Sequence, residues 1–563
     1  MADPATTQPA RQATTAAGRI FLLIAITAAI AVLPLVFLGN PWGHDVDLHI
    51  PAWLEAELQL RQGILYPRWA AGAHYGFGEP FFIFYPPLSW MVGGTLGLIL
   101  PWKMVPGVFV WLVLVLAGTA MWKCASDWLD PADAALASLL YLMNPYLLAT
   151  FYKRCNYAEL VASALIPLLV WAALRMEWGA RRTIPPLSIA FAAIWLSDLP
   201  AAVIGSYVLA TMLLVSSFVK RSLRPLLYGS VAILGGFGSI AVFLLPAAWE
   251  RRWVNIGEAI RPDWAPENNF LFAHNTISPN LPFNLALSFI AVLLMIVAAI
   301  AAALSSRFRR SAPDAWRLLV VLGGLSTFMM FSVSSILWRI LPEMRYVEFP
   351  WRWLSPLCVV TVLLTSAAVA QARNKRTWRV TVAVAVTAIA AVIVYTVRWD
   401  THHQHLQDLT VAAHSGAGYP GVPWCYPLGS RPSKLPKDAP LIATDREEEK
   451  SMSREGAQIH VERWSAEQRV FSVESPRPLA LRIKLLPYPA WQGKLDGKAI
   501  PLEASQETGQ MLLSVPAGAS RTEIKFVRTW DRTLGIAVSL TTVLAFILLR
   551  LTFRRRETSA GRL

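Results

Sequence analysis

The chain has 563 residues, of which 55% are hydrophobic and 15% charged, and its formal net charge at pH 7 is +15. Soluble domains usually carry about a quarter charged residues, so this composition excludes an ordinary soluble protein and favours a membrane protein. The positive charge lies in short loops between apolar runs. This pattern reflects membrane topology and does not indicate a nucleic-acid partner.

The first 19 residues are polar and rich in Ala and Thr, and we expect a disordered cytoplasmic tail. The apolar run from Ile20 to Leu38 is too long for a signal-peptide core, and no clear small-residue cleavage site follows it. We therefore expect a retained first span. Apolar runs of about twenty residues predict about twelve transmembrane helices in all. They lie at 20–38, 105–124, 132–150, 158–174, 184–199, 201–218, 226–246, 283–304, 318–336, 353–371, 380–396 and 534–550.

Five clusters of Lys and Arg separate these runs, and positive loops mark the cytoplasmic side. The clusters are Arg175, Arg181 and Arg182; Lys220, Arg221 and Arg224; Arg307, Arg309, Arg310 and Arg317; Arg373, Lys375, Arg376 and Arg379; and Arg554, Arg555 and Arg556. With all five inside, both termini are cytoplasmic. We expect a multi-pass protein of the inner, cytoplasmic membrane, with its larger loops on the outer side.

One apolar stretch, Leu88 to Trp102, does not fit this alternation. Counting it as a span would invert every later loop and place the basic clusters outside. We therefore predict that it lies along the interface or re-enters the membrane. The outer loops are then 39–104, 151–157, 247–282, 337–352 and 397–533.

The last outer loop changes in character along its length. Its first part, 397–454, is rich in Pro, Gly and charge, which predicts an irregular segment. Its second part, about 455–530, alternates as strands do and predicts a small extracytoplasmic β-sandwich. The predicted strands are Gln458–Trp464, Arg469–Val473, Leu479–Leu486, Met511–Val515 and Thr522–Val527, and Asp496-Gly497 is a hairpin-turn signal. A last span, 534–550, and a basic cytoplasmic tail, 551–563, follow.

The four cysteines are Cys124, Cys155, Cys358 and Cys425, and none forms a CxxC pair. A zinc ribbon or a CxxC redox motif is therefore not supported. Cys155 and Cys425 both fall outside in the predicted topology. A disulfide between them and two free thiols are both open.

The first outer loop carries His44, Asp45, Asp47 and His49 just after the first span. A carboxylate there can take a proton from a sugar hydroxyl or an amine, which makes that group a better nucleophile. Asp45 and Asp47 are also candidates to bind a divalent metal such as Mg or Mn through oxygen ligands. The alternative is that both aspartates cap a helix over 48–60.

Two further groups in this loop are candidates for substrate binding. Arg68 lies in the run Tyr-Pro-Arg-Trp, and Tyr85 precedes two prolines. Aromatic residues at a membrane interface commonly anchor the chain, whereas an Arg among them can grip a phosphate through paired donors. The histidines of THHQH (His402, His403 and His405) could bind a metal, but the alternative is a solvated loop.

Several other spans carry ionisable residues at their outer ends, where such groups are costly unless they are paired or functional. They are Arg154, Glu159, Asp198, Glu250, Arg251, Arg252, Arg345, Glu348 and Arg352. Their common side predicts one outward-facing polar cavity. In it Arg68, Arg154, Arg345 and Arg352 are candidates to hold a phosphate or pyrophosphate. The alternative is that they form structural ion pairs.

These motifs carry a family resemblance. An Asp just after the first span, followed by a YPPL element, resembles the GT-C superfamily of membrane glycosyltransferases. GHD…H…YPRW…GEP.F.FYPPLSW is similar to the membrane-protein family labelled 6-pyruvoyl-tetrahydropterin synthase-related. The likeness continues at Arg154…Ala158-Glu159, at Leu244-Leu245-Pro246-Ala247…Glu250 and at Tyr346…Glu348-Phe349-Pro350-Trp351-Arg352. LPYPAWQGKLDGKAIPL resembles the C-terminal domain of bacterial membrane proteins implicated in glycosylating cell-envelope polymers.

The resemblance implies a GT-C-like, all-α polytopic fold with a small β-sandwich before the last helix. It also implies a transferase that uses a polyprenyl-phosphate sugar donor and a cell-envelope acceptor at the outer face. In GT-C enzymes an Asp of the first outer loop acts as base or metal ligand, a role that falls here on Asp45 or Asp47. Two other functions stay open: a lipid or glycolipid transporter or flippase, and a non-catalytic scaffold whose β domain binds glycan.

Overall fold

The computed structural model describes residues 4–176, 180–273, 281–444 and 457–560, with side chains in 17–176, 183–273, 281–444 and 457–548. The chain forms two compact units. The first, here called the helical unit, comprises Met1–His49, Leu100–Phe237 and Ile260–Gln404. The second, here called the mixed unit, comprises Ile50–Ile99, Gly238–Ala259 and His405–Leu563.

The described α-helices are numbered in chain order. They are α1 (Pro4–Leu38), α2 (Val46–Arg61), α3 (Ala73–Gly76), α4 (Phe81–Phe84), α5 (Pro87–Ile99), α6 (Val105–Ala125), α7 (Pro131–Leu142), α8 (Pro145–Ala149), α9 (Tyr157–Arg175), α10 (Ala180–Trp195), α11 (Leu199–Val219), α12 (Arg224–Ser239), α13 (Ala241–Glu250), α14 (Leu281–Leu304), α15 (Ser306–Ser311), α16 (Pro313–Met329), α17 (Ser335–Ile340), α18 (Leu354–Ala370), α19 (Lys375–Tyr395), α20 (Gln404–His414) and α21 (Trp530–Ala560).

Within the described residues, nine helical segments are long and apolar enough to cross a membrane, or eleven if two bent pairs each count as one span. The nine are Ala17–Leu38, Trp102–Ala125, Pro131–Arg154, Tyr157–Arg175, Leu199–Val219, Leu281–Leu304, Pro350–Ala370, Lys375–Tyr395 and Trp530–Leu548. The bent pairs are Arg224–Ser239 with Ala241–Trp253, and Pro313–Met329 with Ser332–Ile340. The chain is a multi-pass membrane protein.

With each bent pair counted as one span, the count of eleven among the described residues is one fewer than the predicted twelve. The segment expected to span over 184–199 forms α10, whose apolar part, Thr183–Trp195, is short. Thirteen helical residues rise only about 20 Å, less than the roughly 30 Å of the hydrocarbon core. Ser197 and Asp198 end the apolar run, and Asp198 begins the next helix.

The stretch expected to lie along the interface or to re-enter is also a short apolar helix, α5, which ends at Ile99. It packs on α2 of the same unit, where the indole nitrogen of Trp53 donates to the Ser89 hydroxyl at 3.2 Å. Its length of about 20 Å agrees with leaving it out of the predicted spans.

The helical unit is built around α9, whose span is 89% buried within the protein, whereas the span of α19 is only 11% buried. α6 packs against α1, α7 and α9, and α18 packs against α7, α14 and α16. A two-residue strand pair, β1 (Asn40–Pro41) with β2 (Trp399–Asp400), joins the segment after α1 to the segment after α19. The candidate site lies at the ends of the central helices.

The mixed unit contains two antiparallel sheets with alternating buried residues, as expected for a β-sandwich. One has the strand order β3-β6-β10-β9 and the other β4-β5-β11-β7-β8. The strands are β3 (Ile442–Thr444), β4 (Gln458–Trp464), β5 (Gln468–Ser475), β6 (Leu479–Ile483), β7 (Trp491–Leu495), β8 (Lys498–Ile500), β9 (Glu503–Ala504), β10 (Met511–Val515) and β11 (Gly518–Phe526). The predicted fold class, a polytopic helical protein with a small β region before the last helix, is confirmed.

Several local features differ from the sequence expectations. The segment 397–454, expected to be irregular, contains α20, in which Leu406 is buried. The tail expected to be disordered is helical from Pro4 onward, and its alanines favour helix. All four cysteines are buried free thiols, so the structure contains no disulfide between Cys155 and Cys425.

Short turns complete the described chain. The 3-10 turns are Trp102–Met104, Arg251–Trp253, Ile256–Ile260, Pro266–Asn268, Ser332–Ser334, Met344–Val347, Pro350–Trp353 and Pro432–Lys434, and Thr150–Arg154 is a π-type turn. Single π turns inside helical segments are frequent at functional sites. This one ends in Arg154, a predicted site residue.

Candidate active site

The loop after α1 is fixed at Asp45 by backbone contacts. The Asp45 N–H donates to the Arg154 carbonyl at 2.8 Å, and the Asp45 carbonyl accepts from the Leu48 and His49 N–H groups. Gly43 permits this approach, because a Cβ there would lie 2.6 Å from the Arg154 carbonyl carbon. Asp45 therefore stands at the N-terminus of α2, as the capping interpretation required, with its side chain directed to a charged partner.

Arg154 and Glu159 are presented by a break between two helices. The π-type turn ends at Arg154, and Cys155 takes a left-handed conformation with φ of +56°. Asn156 then begins α9, and its side chain accepts from the Glu159 N–H at 2.8 Å. Because the chain turns within two residues, Arg154 and Glu159 face each other.

Five side chains of the helical unit form a continuous ion-pair network, here called the arginine–carboxylate cluster: Asp45, Arg154, Glu159, Glu348 and Arg352. Arg154 Nη2 lies 3.1 Å from Asp45 Oδ2, and Arg154 Nη1 donates to Glu159 Oε2. Arg352 Nε lies 3.1 Å from the same Glu159 oxygen. Arg352 Nη1 lies 3.0 Å from Glu348 Oε2. One buried carboxylate thus holds two guanidinium groups.

The cluster is buried at its centre and more exposed at its rim. The side chains of Arg154, Glu159 and Arg352 are 4%, 2% and 6% exposed, whereas those of Asp45 and Glu348 are 26% and 19% exposed. Buried charges are stable only when they are paired and hydrogen-bonded. The Tyr146 hydroxyl also donates to Glu159, which satisfies the second oxygen of that carboxylate.

Aromatic rings lie against both guanidinium groups. The Arg154 guanidinium is 4.6 Å from the Trp351 ring centroid, and that of Arg352 is 5.2 Å from the Phe349 centroid. Phe349 and Trp351 stack at 5.0 Å, and the Trp351 indole N–H donates to Asn284 Oδ1 at 3.1 Å. Cation–π contacts leave the guanidinium edges available for in-plane hydrogen bonds.

Glu348 of the cluster and Asp198, outside it at the start of α11, have carboxyl groups that titrate near neutral pH. Burial raises the pKa of Glu348 to about 7, against the opposing effect of Arg352. Burial also raises the pKa of Asp198 to about 6, although its carboxylate accepts from the Ala201 N–H at 2.9 Å as the cap of α11. Glu348 has a φ of +64°, a strained conformation for a residue other than glycine. Such strain is often found at functional sites.

The two loop histidines sit beside the cluster and are neutral. Burial lowers the pKa of His49 to about 4, and its ring packs edge-on to Tyr157 at 5.6 Å. Burial also lowers the pKa of His44, whose ring packs edge-on to Phe283 at 5.1 Å. Phe283 in turn contacts Trp351. Both histidines therefore contribute ring packing to this region.

Asp47 and Arg345, the other candidates in this unit, are exposed. Asp47 occupies the first turn of α2, and Arg345 lies in the turn Met344–Val347. Of the two loop aspartates, Asp45 is thus the one placed against the arginines.

A metal ion does not fit the predicted ligands. Throughout the described ranges, no three His, Cys, Asp or Glu side chains group as a metal site requires. Asp45 instead faces a guanidinium, and the His403 ring meets the side chain of Asn40 at 3.2 Å. A divalent cation prefers several oxygen ligands and would be repelled by two arginines. The possible metal role of Asp45 and Asp47 is not supported by this arrangement.

Arg68 and Tyr85 belong to the mixed unit. The Arg68 guanidinium lies 4.2 Å from the Tyr66 ring centroid, and burial lowers the pKa of Arg68. Tyr85 stacks on Phe81 at 4.8 Å and on Trp424 at 6.4 Å. Both residues therefore sit in aromatic surroundings, consistent with either anchoring or binding.

Glu250 of the mixed unit forms a closed ion pair. Arg532 Nε and Nη2 donate to its two oxygens, each at 2.9 Å, and the Tyr488 hydroxyl donates at 2.6 Å. Glu250 is fully buried and Arg532 is 3% exposed. This bidentate pair joins α13 to the first turn of α21.

Sequence reasoning did not single out Tyr146 or Trp351, which support Glu159 and Arg154. Trp351 lies within the motif around Arg352, so its position beside two candidate residues was the available signal. Tyr146 had no such signal, because its contact with Glu159 depends on the turn that follows α8.

Comparison with known proteins identifies the family. Among solved structures, an arabinofuranosyltransferase, AftD, from Mycobacteria is 15% identical with a TM-score of 0.39. The match covers 70% of this chain but only 27% of that chain, so this chain spans about a quarter of its length. No curated protein matches. A family model described as "6-pyruvoyl-tetrahydropterin synthase related domain; membrane protein" matches residues 82–402, more than half of the chain and four of the five cluster residues. The chain therefore belongs to this family of membrane proteins, as the sequence motifs predicted.

Proposed function

We propose that this chain is a membrane glycosyltransferase that transfers a sugar from a polyprenyl-phosphate donor to a lipid, polymer or protein at the outer membrane face. The observation that carries the proposal is the arginine–carboxylate cluster. Two buried guanidinium groups share one carboxylate there, with two more accessible carboxyls at the rim. A reaction that expels a phosphate uses cationic groups such as these guanidinium groups. A reaction that removes a hydroxyl proton uses a carboxylate.

The arginines are suited to receive the donor phosphate. Each guanidinium has five N–H donors in a rigid plane, and the contacts described above engage only some of them. Glu159 fixes both groups before substrate arrives, so little reorganisation is needed as charge develops on the leaving phosphate. Arg154 and Arg352 therefore stabilise the polyprenyl phosphate as the sugar leaves it.

Asp45 is placed to act as the base. In the proposed step, the acceptor oxygen forms a bond to the anomeric carbon, and the bond from that carbon to the phosphate oxygen breaks. The electron pair leaves with the polyprenyl phosphate, and the acceptor proton passes to the Asp45 carboxylate. A positioned base of this kind contributes about a hundredfold to ten-thousandfold in rate.

Glu348 complements this role by limiting negative charge beside the donor. Its pKa of about 7 keeps much of it protonated at neutral pH, so it can donate a hydrogen bond to a phosphate oxygen. An ionised carboxylate in the same place would repel the phosphate and compete for Arg352. His44 and His49 complete the wall around Asp45.

The sugar-donor class rests on the resemblance of the first-loop motif to GT-C glycosyltransferases, and the side of the membrane rests on loop charge. No step is assigned to a metal, because the carboxylates of the cluster are already paired with Arg154 and Arg352, which would repel a divalent cation. Arg68 and Tyr85 are kept as proposed substrate contacts of the mixed unit.

Native mass spectrometry of the full chain, purified gently with its lipids, tests the proposal. Wild type is compared with Asp45→Asn and with Asp47→Asn, which removes the same charge two residues further along the chain. We expect wild type to retain a polyprenyl phosphate and Asp45→Asn to accumulate its sugar conjugate, with a much smaller change in Asp47→Asn.

Melting temperatures of the three proteins exclude misfolding as the cause. Only ordinary phospholipids in all samples would contradict the donor assignment and favour a scaffold. Movement of a lipid-linked sugar between leaflets without covalent transfer would favour a transporter or flippase. Full transfer activity in folded Asp45→Asn would contradict the mechanism.

A further inference from the structure

The helical unit contains a second polar feature at the opposite end of α11 from Asp198. A cavity of about 810 Å³ lies between the C-terminal end of α11, the following loop and α16. α11 has 21 residues and therefore rises about 31 Å, close to the thickness of the hydrocarbon core. The cavity and the arginine–carboxylate cluster thus lie at opposite membrane faces.

The cavity combines cationic and apolar walls. Arg221 and Arg317 line it together with Ser217, and among the described residues that line it none is acidic. The apolar part of the lining includes Phe218, which is 85% exposed, and Leu223, which is 76% exposed. On a membrane-crossing helix such side chains meet acyl chains. This pairing of guanidinium groups with an acyl-facing wall matches an anionic lipid.

The loop geometry holds Arg221 in place. Arg221 has a φ of +47°, a conformation that glycine adopts more readily. Its N–H donates to the Phe218 carbonyl at 3.2 Å, and the Ser222 N–H donates to the Ser217 carbonyl at 3.1 Å. A strained non-glycine residue beside a cavity is a recognised sign of a functional constraint.

Ser217 supplies a second, independent observation. Its side chain is 7% exposed, and its buried hydroxyl has no hydrogen-bond partner among the described residues. Buried hydroxyls are normally satisfied, so one that lines a cationic cavity points to a missing acceptor. Arg317 forms an exposed ion pair with Asp314, in which Nη1 lies 3.2 Å from Oδ1.

We propose that this cavity binds the phosphate headgroup of an anionic phospholipid in the cytoplasmic leaflet. Arg221 and Arg317 contact the phosphate, Ser217 donates its hydroxyl, and the acyl chains lie along Phe218 and Leu223. The leaflet follows from the positive loop that contains Lys220, Arg221 and Arg224. This inference is independent of the reaction proposed for the other face.

The test measures lipid binding to the full chain in a neutral detergent, with dioleoyl phosphatidylglycerol, dioleoyl phosphatidylcholine and glycerol 3-phosphate as probes. The test protein carries Arg221→Gln with Arg317→Gln. Its matched control carries Arg307→Gln with Arg310→Gln, two exposed arginines within α15 that do not line the cavity. Native mass spectrometry gives the affinity, and the melting temperature of each variant reports folding.

We expect wild type to bind phosphatidylglycerol more tightly than phosphatidylcholine. Each arginine near the membrane surface contributes roughly fivefold, so the test protein should bind about thirtyfold more weakly, and the control nearly as wild type. Ser217→Ala should weaken binding by a smaller factor. Equal binding of both lipids, or equal weakening in the control, would overturn the proposal. So would glycerol 3-phosphate binding as tightly as the lipid.

Discussion

Glu159 of the helical unit and Glu250 of the mixed unit are both buried carboxylates paired with arginine, yet their surroundings differ. Both carboxylate oxygens of Glu250 accept hydrogen bonds from Arg532, and one also accepts from Tyr488. The carboxylate is closed to solvent. Glu159 shares one oxygen between two arginines, whose remaining donors face partly exposed carboxyls. Burial and charge alone therefore do not distinguish the two pairs. They differ in the unused guanidinium donors and the more exposed rim around Glu159.

The largest expected effect tests this contrast directly. Glu250→Gln leaves the buried Arg532 without its charge partner, and Glu159→Gln removes the carboxylate that Arg154 and Arg352 share, so each variant should lose about 3–5 kcal/mol of unfolding free energy. Only Glu159→Gln should also weaken polyprenyl-phosphate binding, measured per folded molecule. Thermal unfolding in detergent and lipid binding by native mass spectrometry give the two readouts. If Glu250→Gln impaired binding equally, the distinction between the two carboxylates would be wrong.

A smaller effect is expected when charge is kept but the planar fork is lost. Arg352→Lys cannot contact Glu159, Glu348 and a phosphate together, because an ammonium lacks the fixed donor geometry. A hydrogen bond to a charged group contributes about 1.5–3 kcal/mol, so polyprenyl-phosphate affinity should fall roughly ten- to hundredfold. Arg345→Lys, in the exposed turn nearby, serves as the control. Equal affinities in the two variants would remove Arg352 from the phosphate site.

The pH dependence should report Glu348. Its pKa is raised to about 7, so the carboxyl is neutral below that pH and charged above it. The charged form repels the donor phosphodiester, which itself does not titrate in this range. Donor affinity should therefore fall about tenfold for each pH unit above 7. Glu348→Gln should make the profile nearly flat, whereas Asp198→Asn removes only the neighbouring group with a pKa of about 6. An unchanged slope in Glu348→Gln would assign the titration elsewhere.

The smallest effect is expected from the aromatic support. Phe349→Leu removes the ring beside Arg352 and its stack on Trp351. Cation–π and stacking contacts each contribute about 0.5–1.5 kcal/mol, so donor affinity should fall about three- to tenfold. Phe289→Leu, at an exposed ring on α14, provides the matched change. A loss as large as that of Arg352→Lys would show that the ring does more than support the guanidinium.

Much of the fold was predictable from hydrophobic pattern. β4 and β10 begin and end at the predicted residues, and Asp496 and Gly497 both have positive φ at the β7–β8 turn, as a type I′ hairpin requires. The strands β3, β7, β8 and β9 were missed; β3, β8 and β9 have only two or three residues each, too few to carry a periodic signal. α20 was missed because apolar residues do not recur in its sequence with a clear helical period.

The site was predictable in composition but not in connectivity. Asp45, Arg154, Glu159 and Arg352 were candidates because charge at the ends of spans is costly. The pairing of carboxylates with arginines joins distant parts of the chain: Asp45 and Arg154 are 109 positions apart, and Glu159 and Arg352 are 193 positions apart. No local pattern predicts that Glu159 would hold two arginines, or that Asp45 rather than Asp47 would face them. These pairings follow from the packing of α9 and α18.

The burial of all four cysteines has a practical consequence for mapping this protein experimentally. Burial raises the pKa of the Cys155 thiol to about 12 and raises that of Cys425 well above its usual value, so both stay unreactive toward alkylating reagents. A single cysteine introduced at an exposed loop position would then be the reactive thiol of the folded chain. Membrane-impermeant labelling can therefore read the sidedness of each loop on the natural sequence, with no background thiol to remove.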